Sequence, residues 1–300
     1  MHRQAPPVLS RPVGELLRDW RQRRRMSQLE LACEADISTR HLSCVETGRA
    51  QPSREMLLHL AERLQVPLRQ RNTLLMAAGY APMFRERPLE DPALAAARKA
   101  VDLVLKGHEP YPALAVDRHW NLVAMNQAVL PLMQGVAAWL LQPPVNVLRL
   151  ALHPEGLAPR IANLPQWRDH LIARLHQAGA ASGDPALASL VDELRDYPVP
   201  AGGSPHGESD FGGVAVPLQL RTECGLLSFL STVTVFGTPV DITLSELAVE
   251  AFFPADTSTA EALRRLSDRQ RSAASDKATT SSGGSTGFEC AWPVSVPAQT

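Results

Sequence analysis

Along the first eighty residues the apolar positions recur every three or four places, the spacing that stacks side chains on one face of a helix. Val13, Leu16, Leu17 and Trp20 make one stripe and Leu29, Ala32 and Ala35 a second. Leu42 and Val45 make a third, and Met56, Leu57, Leu60 and Leu64 a fourth, after Pro52-Ser53. Almost nothing separates the second stripe from the third: Asp36 and Ile37 lie between one pattern and Ser38, a good N-cap for the next. Ser27-Gln28-Leu29-Glu30 has the S-x-x-E form of a capping box, and Gly48 ends the third helix. Helices this short are not stable alone, so the pattern predicts a bundle of four or five helices in which two short ones meet at a tight turn.

Beyond residue 82 the pattern changes. RERPLEDP (residues 85–92) has the charge and proline content of a linker, and Leu94, Ala97, Val101, Leu103 and Val104 predict a helix that Glu109-Pro110-Tyr111-Pro112 breaks. Apolar runs at 113–116 and 122–125 flank a turn at Asp117 to His119 and predict two strands, with Asn126 as a helix cap. Helical spacing follows around Leu148, Leu150 and Leu152, over 167–176 with Leu171, Ile172 and Leu175, and over 187–194 after Asp184-Pro185. Strand patterns return at 214–220, 226–235 and 247–253, with turns at Gly225 and Gly237-Thr238-Pro239. Two strands, helices, then three strands predict a PAS-like antiparallel sheet with helices folded over one face.

The fold class expected is α+β multidomain: an N-terminal all-α, lambda-repressor-like helix-turn-helix bundle, then a C-terminal PAS-like antiparallel sheet with helices. The boundaries expected are a bundle at 10–82, a linker at 83–92, the sheet domain at 93–266 and a disordered tail at 267–300, rich in Ser, Ala, Thr and Gly, whose FECAW stretch (288–292) is a free end.

Composition narrows the function. With 300 residues, 45% of them apolar, the chain can bury a substantial core, yet no apolar run approaches the roughly 20 residues that span a bilayer. The opening MHRQAPPVLSRP lacks the apolar core of a secretory signal, so a cytoplasmic protein without a membrane partner is expected. Cys33, Cys44, Cys224 and Cys290 are scattered, with neither zinc-site nor disulfide spacing, so no metal or cofactor is expected. A near-zero net charge hides an asymmetry: residues 1–88 hold 15 Arg and no Lys against 9 acidic residues, and the remainder holds 15 basic against 22 acidic. The basic end is the one suited to a polyanion.

Two short helices at a tight turn, on a basic bundle, form a helix-turn-helix, whose second helix enters the DNA major groove and meets base edges with its N-terminal side chains. Residues 10–80 resemble the Xre family of DNA-binding domains, with SQLELA opening the first helix and STRHLSCVETGR as the recognition segment. The resemblance implies that Gln28 contacts a phosphate and that Arg21 and Glu46 tie the first helix to the end of the recognition helix. Thr39, Arg40 and Ser43, on the outer face away from Leu42 and Val45, are the specificity positions, Arg40 having the geometry for guanine. Ser38 at the helix start and Arg49 and Arg54 beyond it complete the DNA-binding set. His41 is expected to be structural and Cys44 to be a packing residue. A single module binds weakly, so a homodimer on double-stranded DNA is expected.

PALAVDRHWNLVAMNQAV, NVLRLALHPEGLAPRIANLPQW and LSFLSTVTVFGTPVDITLSELAVEAFFPAD resemble the ligand-binding domain of MmyB-like transcription regulators, in the same order after an Xre module. That implies a regulator whose second domain holds a non-covalent fatty-acid-like ligand. An apolar pocket would draw on Val116, Leu122, Phe229, Val233, Val235, Phe236 and Phe252, although at single positions core packing is the commoner explanation of such residues. A carboxylate head group would need a partner among Arg149, His153, Arg160 and Arg221; for HPEG (153–156) a simple turn with His153 capping a helix is the plainer reading. The alternative reading keeps DNA binding and makes the second domain a ligand-free dimerisation or protein-interaction module. Motifs for catalysis are absent: there is no G-x-S-x-G, H-E-x-x-H or G-x-x-x-x-G-K-[ST], and SGGSTG (282–287) has no strand before it, so no enzyme is expected.

Overall fold

The computed structural model describes residues 11–199, 215–237 and 241–280. The chain divides into two compact units: of the described residues, 11–87 with 180–183 and 241–245 form the first, and the others form the second.

Five helices build the first unit: α1 (Val13–Arg23), α2 (Gln28–Glu34), α3 (Thr39–Glu46), α4 (Arg54–Arg63) and α5 (Leu68–Ala77). The capping box forms in full, with Ser27 Oγ accepting from Glu30 N and the Glu30 carboxylate accepting from Ser27 N. Between α2 and α3 the chain reverses through Asp36 at φ 52°, a conformation that a short polar side chain tolerates, and Ile37 N–H returns to the Ala32 carbonyl. Ser38 then caps α3 by accepting from His41 N. Leu17, Leu31, Leu42, Val45, Leu57, Leu60 and Leu64 are fully buried, each larger side chain contributing roughly 1.5–3 kcal/mol by leaving water. Leu29 departs from expectation: it is 63% exposed, and Leu31 takes its place with Ala32 and Ala35.

The second unit is a five-stranded antiparallel sheet of order β2-β1-β5-β4-β3, from β1 (Ala113–Val116), β2 (Leu122–Met125), β3 (Leu218–Thr222), β4 (Gly225–Val235) and β5 (Ala248–Pro254). Its helices are α6 (Ala95–Gly107), α7 (Val147–Leu152), α8 (Leu164–Ser182), α9 (Pro185–Asp196) and α11 (Thr257–Thr280); the one-turn α10 (Ile242–Ser245), which precedes β5 in the chain, belongs to the first unit. Strand periodicity sorts β5 between two cores: Val249 and Ala251 pack with α6, while Phe252 packs with α7, α8, α9 and α11. Helices therefore cover both faces of the sheet, not one as the pattern predicted.

Several local expectations fail for identifiable reasons. The strand forecast at 214–220 starts at Leu218, because Pro217 has no N–H to give a ladder; Val214 lies outside the described residues. Asn126 precedes a 3-10 helix (Gln127–Met133) without capping it, since its side chain accepts from Ala113 N and donates to the Leu105 and Tyr111 carbonyls. In α6, Val101 and Leu105 are buried while Leu103 and Val104 face outward. The tail forecast from residue 267 is overturned as far as Thr280: α11 runs on, because LRRLSDRQRSAASDKA holds good helix formers and no Gly or Pro. SGGSTG, FECAW, Cys290, the first ten residues and Thr238-Pro239 lie outside the described residues.

Candidate DNA-binding face and ligand cavity

A buried fork holds α3 against α1. Arg21 Nε and Nη2 donate to the two carboxylate oxygens of Glu46 at 2.7 and 2.8 Å, Gln28 Nε2 donates to Glu46 Oε2 at 2.8 Å, and Arg18 lies 3.5 Å from the same oxygen. Burial pushes the Glu46 carboxyl up, but hydrogen bonds from Arg21 and Gln28 and the charges of Arg21 and Arg18 outweigh it, leaving it below its ordinary value. The Arg21 guanidinium is raised by its hydrogen bond to Glu46. Gly14 lets the helices close: a Cβ there would sit 2.3 Å from the Val45 carbonyl oxygen. On this mount α3 buries Leu42 and Val45 and turns Arg40 fully outward, with Thr39 and Ser43 half-buried beside it.

In the second unit a cavity of about 100 Å³ lies between the sheet and the helical layer. The sheet supplies Leu114, Leu122, Leu218, Leu220, Phe229 and Phe252, and the helical side supplies Leu148, Ala151, Leu157, Ile161, Trp167 and Leu171. Its wall is almost wholly apolar. One carboxylate stands in it, Glu250, 4% exposed and held by Arg174 Nη1 at 2.7 Å; Arg174 also stacks over the Trp120 ring at 4.8 Å. A separate, open groove is lined by Arg160, Arg221, Cys224, Arg269 and Gln270 and shares Leu132 with the cavity. Among the described residues no group of His, Cys, Asp or Glu is placed to hold a metal, and no helix is long and apolar enough to cross a membrane.

The family model of a helix-turn-helix domain matches residues 12–74, and that of the MmyB-like transcription regulator ligand binding domain matches residues 97–266. The chain belongs to the MmyB-like transcription regulators. It is a DNA-binding transcription regulator with two domains. No curated protein matches it.

In this MmyB-like regulator the sequence-predicted DNA residues lie as follows. Arg40, Arg49 and Arg54 are exposed and make no ion pair with any described residue. Ser38 is exposed, its oxygen engaged in the cap. Gln28, expected to meet a phosphate, has its amide nitrogen on Glu46 and so belongs to the fork that fixes α3. His41 points to α4, its Nε2 3.2 Å from Met56 Sδ.

The predicted ligand residues scatter. Leu122, Phe229 and Phe252 line the cavity; Phe236 packs instead in the cluster beneath α6, and Val116 is buried off the cavity wall. Val233 and Val235 have the same strand parity as Phe229 but lie on the exposed end of β4. His153 does not line the cavity either: it ends α7, accepts from Glu155 N through Nδ1 at 3.0 Å, and stands edge-on to Trp139 and Tyr197, as a turn residue would. Arg149 is committed to Glu193. Arg160 donates to the Leu132 carbonyl, burial lowers its pKa, and it meets Arg221 only in the open groove. Sequence reasoning missed Trp167 and Glu250. An acidic residue inside AVEAFF was a visible signal for Glu250; Trp167 looked like any core aromatic.

Proposed function

We propose that the regulator binds DNA as a homodimer with α3 in the major groove, and that its PAS-like second domain senses a small apolar molecule held in the cavity. The observation that carries the sensing half is the cavity itself: an interior space walled by aliphatic and aromatic side chains excludes ions and favours an oily ligand. An acyl chain, as in a fatty acid, suits that wall. Its carboxylate would lie outside, in the groove of Arg160, Arg221 and Arg269, because an ionised head group is costly to bury within an apolar wall, and the Arg174 cation is already paired with Glu250. Ligand occupancy changes DNA affinity only through different affinities for the DNA-competent and incompetent states.

Native mass spectrometry of the full chain, followed by denaturing extraction, tests this. A stoichiometric apolar adduct whose removal changes operator binding is the expected result. A clean dimer whose DNA affinity is indifferent to added dodecanoate would leave the second domain as a ligand-free dimerisation module.

A further inference from the structure

Strand β4 outruns one of its neighbours. β5 pairs with it from Phe229 to Val235, whereas β3 pairs with it only from Gly225 to Phe229. The register shows which groups are left bare. Ala255, the residue after β5, continues the Phe229–Pro254 pairing and donates its N–H to the Ser228 carbonyl, so even positions of β4 turn their N–H and C=O toward β5 and odd positions turn theirs away. Ser231, Val233 and Val235 therefore hold out their N–H and C=O groups along an edge where no strand of the described residues lies. Such an edge is normally guarded by a lysine, a proline or a bulge, because a bare strand is a template for another. This one has no guard: Ser231-Thr232-Val233-Thr234-Val235 carries no charge and no proline, its register against β5 has no shift, and Val233 and Val235 are 46% and 62% exposed.

Resting on the reading of the regulator as a homodimer, we propose that two copies join through this edge, antiparallel about a two-fold axis at Val233, so that their two sheets become one continuous sheet. The edge is complementary to itself. Val233 meets the partner's Val233, Ser231 meets the partner's Val235, and each of these pairs exchanges both of its backbone hydrogen bonds. Thr232 meets the partner's Thr234 between them, and no pair sets like charges together. A second copy also supplies the second helix-turn-helix that tight binding to a two-fold operator needs. A contact of five residues a side is small beside a standard interface of roughly 800 Å² per partner, so the dimer comes apart on dilution.

Two double variants of the full chain, altered at the same two exposed positions, test the register. Ser231→Lys/Val235→Lys sets lysine against lysine in both outer pairs, and Ser231→Glu/Val235→Lys sets glutamate against lysine in both. Sedimentation velocity over a dilution series reads the dissociation constant, and thermal midpoints check that each variant is folded. The expected result is a dimer about tenfold weaker for the lysine pair than for the mixed pair. Amide exchange of wild type adds a readout that needs no variant: a peptide covering 230–236 should exchange more slowly as protein concentration rises. A dimer of equal strength in both variants overturns the edge inference and leaves the homodimer standing on another surface. Exchange at 230–236 that is already slow in dilute monomer overturns it too, because the chain then covers its own edge. A wild type that stays monomeric at the highest concentration overturns the homodimer reading as well.

Discussion

Two arginine–glutamate forks of nearly the same geometry sit in the two units. Arg21 meets Glu46 at 2.7 and 2.8 Å, and Arg149 meets Glu193 at 2.7 and 2.7 Å. Their surroundings differ: the Glu46 side chain is wholly buried and that of Arg21 is 10% exposed, against 36% and 44% for Glu193 and Arg149. Contact geometry therefore says little about consequence. In the first unit the fork is the mount of the recognition helix, and removing one member strands a charge in the interior; in the second, water replaces either partner.

The largest effect should come from breaking the buried fork. Glu46→Ala is expected to cost about 3–5 kcal/mol in denaturant unfolding, because Arg21 is left uncompensated, and to abolish DNA binding. A loss below about 1 kcal/mol would put the two forks in one class and sink the comparison. Gly14→Ala sharpens it without touching a charge. Its Cβ would meet the Val45 and Glu46 carbonyl oxygens at 2.3 and 2.8 Å, so α1 must move off α3, at a cost of about 1–3 kcal/mol, with reduced DNA affinity. An unaltered thermal midpoint and affinity would show that the close approach is dispensable.

What the buried fork positions should be measurable as specificity. Arg40→Ala is expected to lose about 1–3 kcal/mol of discrimination at one base pair, whereas Arg49→Ala should weaken all sequences alike and reduce the salt slope by about one. Selection on a random duplex pool at two salt concentrations separates them. Uniform losses for both would make Arg40 a phosphate contact.

The two units were not equally legible. In the first, function is polar and exposed while the core is apolar and periodic, so spacing alone divides Leu42 and Val45 from Arg40 and Thr39, and a capping box and an Asp in a tight reversal mark where the helices stop. In the second, the strand order could be read, but site and core are both apolar, and nothing in the spacing tells Phe229, on the cavity wall, from Phe236, beneath α6. The charged residues singled out there are no easier to sort by spacing. Arg149 is held by Glu193 and His153 stands against Trp139 and Tyr197, partners far from them in sequence, while Arg160 lines the open groove. That Trp167 and Glu250 line the cavity is set by what packs around them, which only the packed structure shows. Gln28 makes the same point in the first unit: its phosphate role was read from a motif, and its nearest commitment is to Glu46.

Acid separates the forks more gently. Glu46 titrates below its ordinary 4.5 in the folded chain, so its stabilisation is fully present above that unfolded value and is lost as pH falls through the lower folded one. Urea midpoints of wild type and Glu46→Gln should therefore converge as pH drops from 7 to 3. A constant gap would mean that the carboxylate charge is not what the fork uses.

The smallest effect is expected at the exposed fork. Its hydrogen bond and charge from Arg149 hold the Glu193 carboxyl below its ordinary value, and Tyr197 donates to Glu193 at 2.6 Å, burial and that bond pushing the phenol up to about 12. These are three partners in good geometry, yet both charged side chains keep substantial contact with water, where an ion pair is worth only about 0.2–1 kcal/mol and is screened by salt. Glu193→Ala should thus shift the unfolding free energy by less than about 1 kcal/mol, and 0.5 M NaCl should remove most of that. Tyr197→Phe, which deletes only the hydroxyl, should cost no more. A salt-insensitive loss approaching that of Glu46→Ala would show that fork geometry, and not burial, sets the weight of these pairs.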